Sequence, residues 1–166
     1  MRAANAPRVV FDCMVFLQGA ARRTSPAKAC LDLAEEGLVE LCLSVEILAE
    51  VRDVLTRPET QRKFPALLPP KVDEAVLRLS AKAMHFSDVP AKFRYERDPK
   101  DEPYINLAIA AEAKYLVTRD NDLLALMDDS KETGKSFRSD YPFLTILDPA
   151  SFLKQIRDQS RHPDQH

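Results

Sequence analysis

Four acidic residues are spaced so that a strand-and-helix fold would gather them: Asp12, Glu50, Asp101 and Asp120. Asp12 ends the apolar run Val9-Val10-Phe11, and Asp120 lies just past Tyr115-Leu116-Val117, with two residues between. An aspartate placed just past a buried strand has its carboxylate at the strand's carboxyl end, where open α/β sheets bind ligands. If the two strands are neighbours, those carboxylates share one crevice. Gathered carboxylates repel one another, and a divalent cation that prefers oxygen ligands relieves the repulsion. The chemistry implied is metal-assisted hydrolysis of a phosphodiester, with one or two ions polarising a phosphoryl oxygen and acidifying a bound water.

Each acid also has a plainer role. An aspartate after a strand is commonly a turn or cap residue, and Glu50 alone reads as a solvated helix residue. Glu46 is its rival one turn earlier, although compensation of the helix dipole explains Glu46 without a site. Asp98 and Asp101 both flank a helix start, so either could be only a cap. Asp101 is preferred because it sits closer to the helical run. Asp122 competes with Asp120, and a turn or helix-start role suits Asp122 better. The ordered set, rather than any one member, points to a site. Within it Asp12 and Asp101 suit direct coordination, and Asp120 suits a second ion or a hold through water. Glu50 fits either coordination or the orientation and deprotonation of an attacking water.

The elements that must position these acids follow from periodicity. Arg8–Phe11, Val39–Leu43, Lys114–Thr118 and Phe143–Leu147 are short, mostly apolar runs of the kind buried in a parallel sheet. Ser25-Pro26 opens a helix that Gly37 ends. Ser44 caps a helix from Val45 to about Leu55, which carries Ile47, Leu48, Val51 and Leu55 on its buried side. Further helices are expected over about 71–84, 102–113, 121–127 and 149–157. Residues 88–100 read as an irregular connection, 128–142 as a charged surface excursion of poor order, and the tail from Gln159 as frayed. Strands alternating with helices imply right-handed parallel crossovers. The expectation is one three-layer α/β/α domain spanning residues 1–166, with an ordered core of about 8–157. Its mostly parallel sheet has four or five strands, the first near the centre.

Composition narrows the classes. A 166-residue chain with 45% apolar and 30% charged residues can bury a core without disulfide or metal staples. Three glycines, and neither a P-loop nor a dinucleotide fingerprint, argue against Gly-rich phosphate loops. Cys13, Cys30 and Cys42 lack paired spacing and read as reduced thiols in a cytoplasm. No membrane span is visible. The net charge of -2 gives no global attraction to nucleic acid, so a local basic patch would have to supply it. Arg22, Arg23, Lys28, Lys92, Arg94, Arg97, Lys100 and Arg119 are candidates, with solvated surface as their plainer role. Phe16, Phe93 and Tyr95 could stack on bases, though buried packing suits them better. His85, His162 and His166 are scattered and are assigned no chemistry.

Read in order, several segments resemble the PIN-domain nucleases, in particular the bacterial toxin-like branch related to VapC toxins. They are Val9-Val10-Phe11-Asp12, then Leu43 through Val51, then Arg97-Asp98-Pro99-Lys100-Asp101-Glu102 leading into Leu107–Ala111. Tyr115 through Leu124 follows, and Asp148-Pro149-Ala150-Ser151-Phe152-Leu153 closes the set. The resemblance implies a sheet of order 3-2-1-4-5 that places Asp12 and Asp120 at one crevice. It also implies Asp12, Glu50, Asp101 and Asp120 as the metal-binding acids and magnesium or manganese as cofactor. Single-stranded RNA is the implied substrate, with an antitoxin protein and a second copy of the chain as partners. Where the family usually reads Asp-Thr-Asn or Asp-Ser-Asn at its first acid, this chain reads Asp12-Cys13-Met14. That removes a hydroxyl and an amide from the polar support of the site. The departure motivates an alternative, a degenerate fold acting as an RNA-binding or protein-interaction module. A phosphoacceptor receiver-like domain ranks lower, because Asp12 lacks an acidic neighbour.

Overall fold

In the computed structural model, which describes residues 5–161, the short apolar runs become the strands of one sheet. β1 (Arg8–Phe11), β2 (Glu40–Ser44), β3 (Met84–Phe86), β4 (Tyr115–Val117) and β5 (Thr145–Leu147) lie in the order β3-β2-β1-β4-β5, and every pairing is parallel. Val9, Val10 and Phe11 are all buried although alternate residues of a strand face opposite sides. Both faces of the central strand are therefore covered, as a parallel sheet requires. The result is the expected α/β/α sandwich.

The covering helices are α1 (Cys13–Ala21), α2 (Pro26–Glu35), α3 (Val45–Thr56), α4 (Pro58–Lys63), α5 (Pro69–Lys82), α6 (Glu102–Ala110), α7 (Asn121–Leu124), α8 (Glu132–Asp140) and α9 (Pro149–Arg161). Their starts are written in the sequence. Ser25 and Ser44 are extended residues whose hydroxyls accept from Lys28 N and Ile47 N, and Pro26 follows at the first position of α2. Gly37, at φ 76, ends the α2 segment where an L side chain would be strained. Ser44 is also the last residue of β2, so its cap fixes how α3 leaves the sheet. Replacing Ser44 by Ala is expected to lower stability by about 1 kcal/mol, read as a lower urea midpoint at unchanged slope. An unchanged midpoint would mean that the cap bond contributes nothing.

Five expectations are corrected. Residues 13–21, to which sequence reasoning assigns no element, form α1, with Val15, Phe16, Leu17 and Gly19 buried. The helix expected to reach Met84 stops at Lys82, and Met84–Phe86 is an additional strand, β3, bonded alongside Cys42–Ser44 at the sheet edge. Residues 132–140 fold as α8 instead of a loose excursion. Phe137, 1% exposed, anchors that helix on Phe93 with ring centroids 5.0 Å apart. At the carboxyl end, α9 continues past Gln159, whose amide donates to the Tyr115 hydroxyl at 2.7 Å; residues 162–166 lie outside the described residues. The helix expected over 102–113 ends earlier, at Ala110. Among the described residues, no helix is long and apolar enough to cross a membrane.

Candidate metal centre

β1 and β4 are hydrogen-bonded neighbours with Phe11 opposite Val117, so the residues that leave the two strands meet. Asp12 N donates to Val117 O at 3.1 Å, continuing the ladder one step beyond β1. There the Asp12 side chain divides its two oxygens. Oδ1 accepts from Val15 N at 3.0 Å and caps α1, while Oδ2 accepts from the Thr118 hydroxyl. Thr118, fully buried, also accepts from Asp120 N at 2.9 Å. One hydroxyl therefore ties the first acid to the fourth. The chain lacks a hydroxyl or amide at positions 13 and 14, and polar support for Asp12 comes from the end of β4 instead.

Asp120 is half-buried and caps α7, accepting from Asp122 N at 2.8 Å. Asp98 caps the 3₁₀ turn Pro99–Asp101 through Lys100 N at 3.2 Å, and that turn delivers Asp101 to the start of α6. Asp98, Asp101 and Asp120 each offer a carboxylate oxygen, and the three lie within 4.8 Å of one another. Among the described residues this is the one such group. Asp101 is 9% exposed, and its Oδ2 is buried without a hydrogen-bond partner.

The electrostatics follow the burial. Asp12, 5% exposed, has its pKa pushed up to about 6. Burial is the main cause and the Asp120 charge adds to it, against the lowering effect of the Thr118 hydroxyl and the Val15 amide. Asp101 is pushed further, to about 8, by burial first and then by the charges of Asp120, Asp98 and Asp12. These shifts mark carboxylates held where a negative charge is poorly accommodated. An oxygen-only donor set with an orphaned buried acceptor fits a hard divalent cation such as magnesium or manganese. The triad could hold one.

Glu50 stands outside the tight group. It is half-buried on α3, and its charge acts on Cys13 and Tyr104. Burial, with Glu50 and Asp12 beyond it, pushes the Cys13 thiol up to about 12. The Tyr104 hydroxyl is buried without a hydrogen-bond partner, and its pKa is raised by burial and by Cys13 and Glu50. Glu46 is exposed in the first turn of α3, as dipole compensation predicts.

The structure thus brings together Asp101 and Asp120 from the expected four, sets Asp12 against them through Thr118, and leaves Glu50 beside Tyr104 and Cys13. Sequence reasoning places Asp98 second to Asp101 as one of two alternative caps; in the fold it caps the turn and stands in the cluster as well. Thr118 and Tyr104 are functional candidates that sequence reasoning misses. Their signals are positional: Thr118 directly follows β4 beside Asp12, and Tyr104 comes three residues after Asp101, on the same helix face. Asp122 pairs with Arg97 at 2.6 Å, and Arg119 donates to the Gln18 side chain at 3.1 Å.

Among protein families, the one described as PIN domain matches residues 8–122, from β1 into α7, a span that contains Asp12, Glu50, Asp98, Asp101 and Asp120. No curated protein matches the chain.

Proposed function

Since the chain belongs to the PIN domain family, we propose that it is a magnesium- or manganese-dependent endoribonuclease acting on single-stranded RNA, and the toxin of a toxin–antitoxin pair. The observation that carries this reading is the Asp98, Asp101 and Asp120 group, together with the buried, unpartnered Oδ2 of Asp101. Asp98, Asp101, Asp120 and Asp12 would hold the ion, which when bound supplies Lewis-acid polarisation of the phosphoryl oxygen and a more acidic water. The Thr118 hydroxyl orients the Asp12 carboxylate by donating to Oδ2, and it fixes the Asp120 backbone by accepting from the amide. Burial of Asp12 and Asp101 keeps bulk solvent away from both carboxyls, so electrostatic interactions made there are weakly screened. In this reading Glu50 takes the proton of the attacking water at its carboxylate. Arg97, Lys100 and Arg119 bind phosphates of the strand. The proposed cell compartment is the cytoplasm. The proposed partners are an antitoxin that blocks the cleft and a second copy of the chain.

The test is direct. With millimolar Mn²⁺ the purified chain is expected to cleave single-stranded RNA internally, leave a DNA strand of the same sequence intact, and stop on chelation. Turnover that survives chelation would remove the metal from the reading. A complete lack of cleavage together with retained RNA binding would favour a binding module that no longer cuts. The observation favouring that second reading is Cys13-Met14, where Cys13 is a half-buried thiol and Met14 an exposed thioether. Neither is a strong hydrogen-bonding group.

A further inference from the structure

The loop ahead of the acidic turn is unusually well fixed for a connection without regular structure. Asn106, buried on α6, clamps Phe93 from both sides. Its Oδ1 accepts from Phe93 N at 2.8 Å, and its Nδ2 donates to Phe93 O at 3.0 Å. One helical turn earlier, Glu102 accepts from Tyr95 N at 2.7 Å. The Tyr95 hydroxyl donates to Asp122 O at 2.6 Å, tying the same loop to α7. On its other side Phe93 packs edge-on against Phe137 and Tyr141, which hold α8 in place. Gly134, in the first turn of α8, allows no side chain at all, because an added Cβ would fall 2.2 Å from Asp128 O.

Between this loop and the start of α8 lies a cavity of about 330 Å³ lined by Arg94, Arg97, Lys131, Glu96 and Gly134, among others. Its lining carries three cations and one acid, and Asp122 and Asp128 pair with two of those cations from outside the lining, which leaves the Arg94 guanidinium as the uncompensated charge. Arg94 has no ion-pair partner among the described residues, Lys131 is only 4.0 Å from an Asp128 oxygen, and Arg97 bridges to Asp122. The cavity borders the acidic group along the chain itself, since Asp98 directly follows Arg97. A pocket that offers one unpaired guanidinium and two further exchangeable cations next to the acids suits a polyanion whose reacting phosphate sits at the acids while a neighbouring phosphate sits among the cations.

We propose that the pocket formed by Arg94, Arg97 and Lys131 is a subsite for a flanking phosphodiester of the single-stranded RNA, setting the strand's position relative to the acids. It rests on the nuclease reading above. Arg94 and Lys131 hold the phosphate, and the Asn106 clamp keeps that contact at a fixed distance from Asp101. They are binding residues and take no part in bond breaking.

The experiment uses the full chain and a labelled oligouridylate. Binding is measured on an Asp101→Asn background as a function of salt, and cleavage with Mn²⁺ on the native background. The Arg94→Ala, Lys131→Ala double variant is expected to weaken binding about tenfold. The salt slope should flatten by roughly 0.7 for each phosphate that is no longer neutralised, and KM should rise with kcat within about twofold. Because both side chains are exposed, folding should be untouched, and Arg157→Ala, an exposed charge change elsewhere, serves as control. A double variant with native affinity and native salt slope overturns the subsite. If the native chain fails to cleave but binds, and the double variant loses that binding, the subsite stands while the nuclease reading falls. If the native chain neither binds nor cleaves oligouridylate, both fall.

Discussion

Asp101→Asn is expected to abolish metal-dependent cleavage, by roughly a thousandfold or more, equivalent to about 4 kcal/mol of transition-state stabilisation. At the same time it should make the metal-free protein more stable. The substitution keeps the shape of the side chain but removes an ionisable group whose charged form burial and the neighbouring Asp98 and Asp120 disfavour, so the folded chain no longer has to hold a proton that the unfolded chain releases. The native protein at a hundredfold excess of Mn²⁺ over its Kd gains about 2.7 kcal/mol by mass action. For a domain of this size that is roughly 5–10 °C in Tm. The variant should start a few degrees higher and gain almost nothing. Activity, metal-induced stabilisation and metal-free stability thus move in a pattern that simple damage to the fold cannot imitate, because damage lowers all three. Native-like cleavage, or a full Mn²⁺ shift in the variant, would show that Asp101 is not where the ion sits.

In the chelated protein, stability is expected to fall as pH rises from about 4 to about 8. Asp12 and Asp101 have pKa values raised from 3.8 to about 6 and about 8 respectively. Well below pH 3.8 both groups are protonated in the folded and unfolded chains alike, and their contribution is fully present. Between 4 and 8 the unfolded chain has lost protons that the folded chain still holds, so stability declines with pH, and the decline ends once the folded carboxyls ionise. Asp12 alone, shifted by about two units, accounts for a loss on the order of 3 kcal/mol. Saturating Mn²⁺ favours the ionised folded site and should remove or invert the slope. Thermal melts across this range with chelator and with Mn²⁺ make the measurement. A chelated protein that gains stability steadily toward neutral pH would contradict the crowding of these carboxylates.

What can be read from sequence is whatever depends on local pattern. Four strands are apolar runs of the right length, and their burial in a parallel sheet follows from the lack of polar alternation. Ser44 and the Ser25-Pro26 pair announce their helices because capping is a matter of neighbouring residues. The acids at strand ends are visible for the same reason. What escapes depends on contacts between distant segments. Met84-His85-Phe86 is three residues long, with its middle residue exposed, and it is a strand only because β2 supplies a backbone ladder beside it. α8 has few apolar residues of its own, and the aromatic rings that hold it include Phe93, from about forty positions away in sequence. Asp98 looks in sequence like one of two alternative caps, and only coordinates show that capping with Oδ1 and joining the cluster are compatible.

Asp12 carries a double burden, and it bears on how copies of this protein would diverge. Its Oδ1 starts α1 and its Oδ2 receives the hydroxyl that locks β4 to β1, so the carboxylate is a joint of the scaffold before it is a ligand. A descendant lineage that gave up cleavage would still be selected to keep this aspartate, while the more weakly anchored Asp98 and Asp120 drifted first. Across diverged copies of this protein, persistence at position 12 would therefore report folding, and the loss of activity would be written at positions 98 and 120.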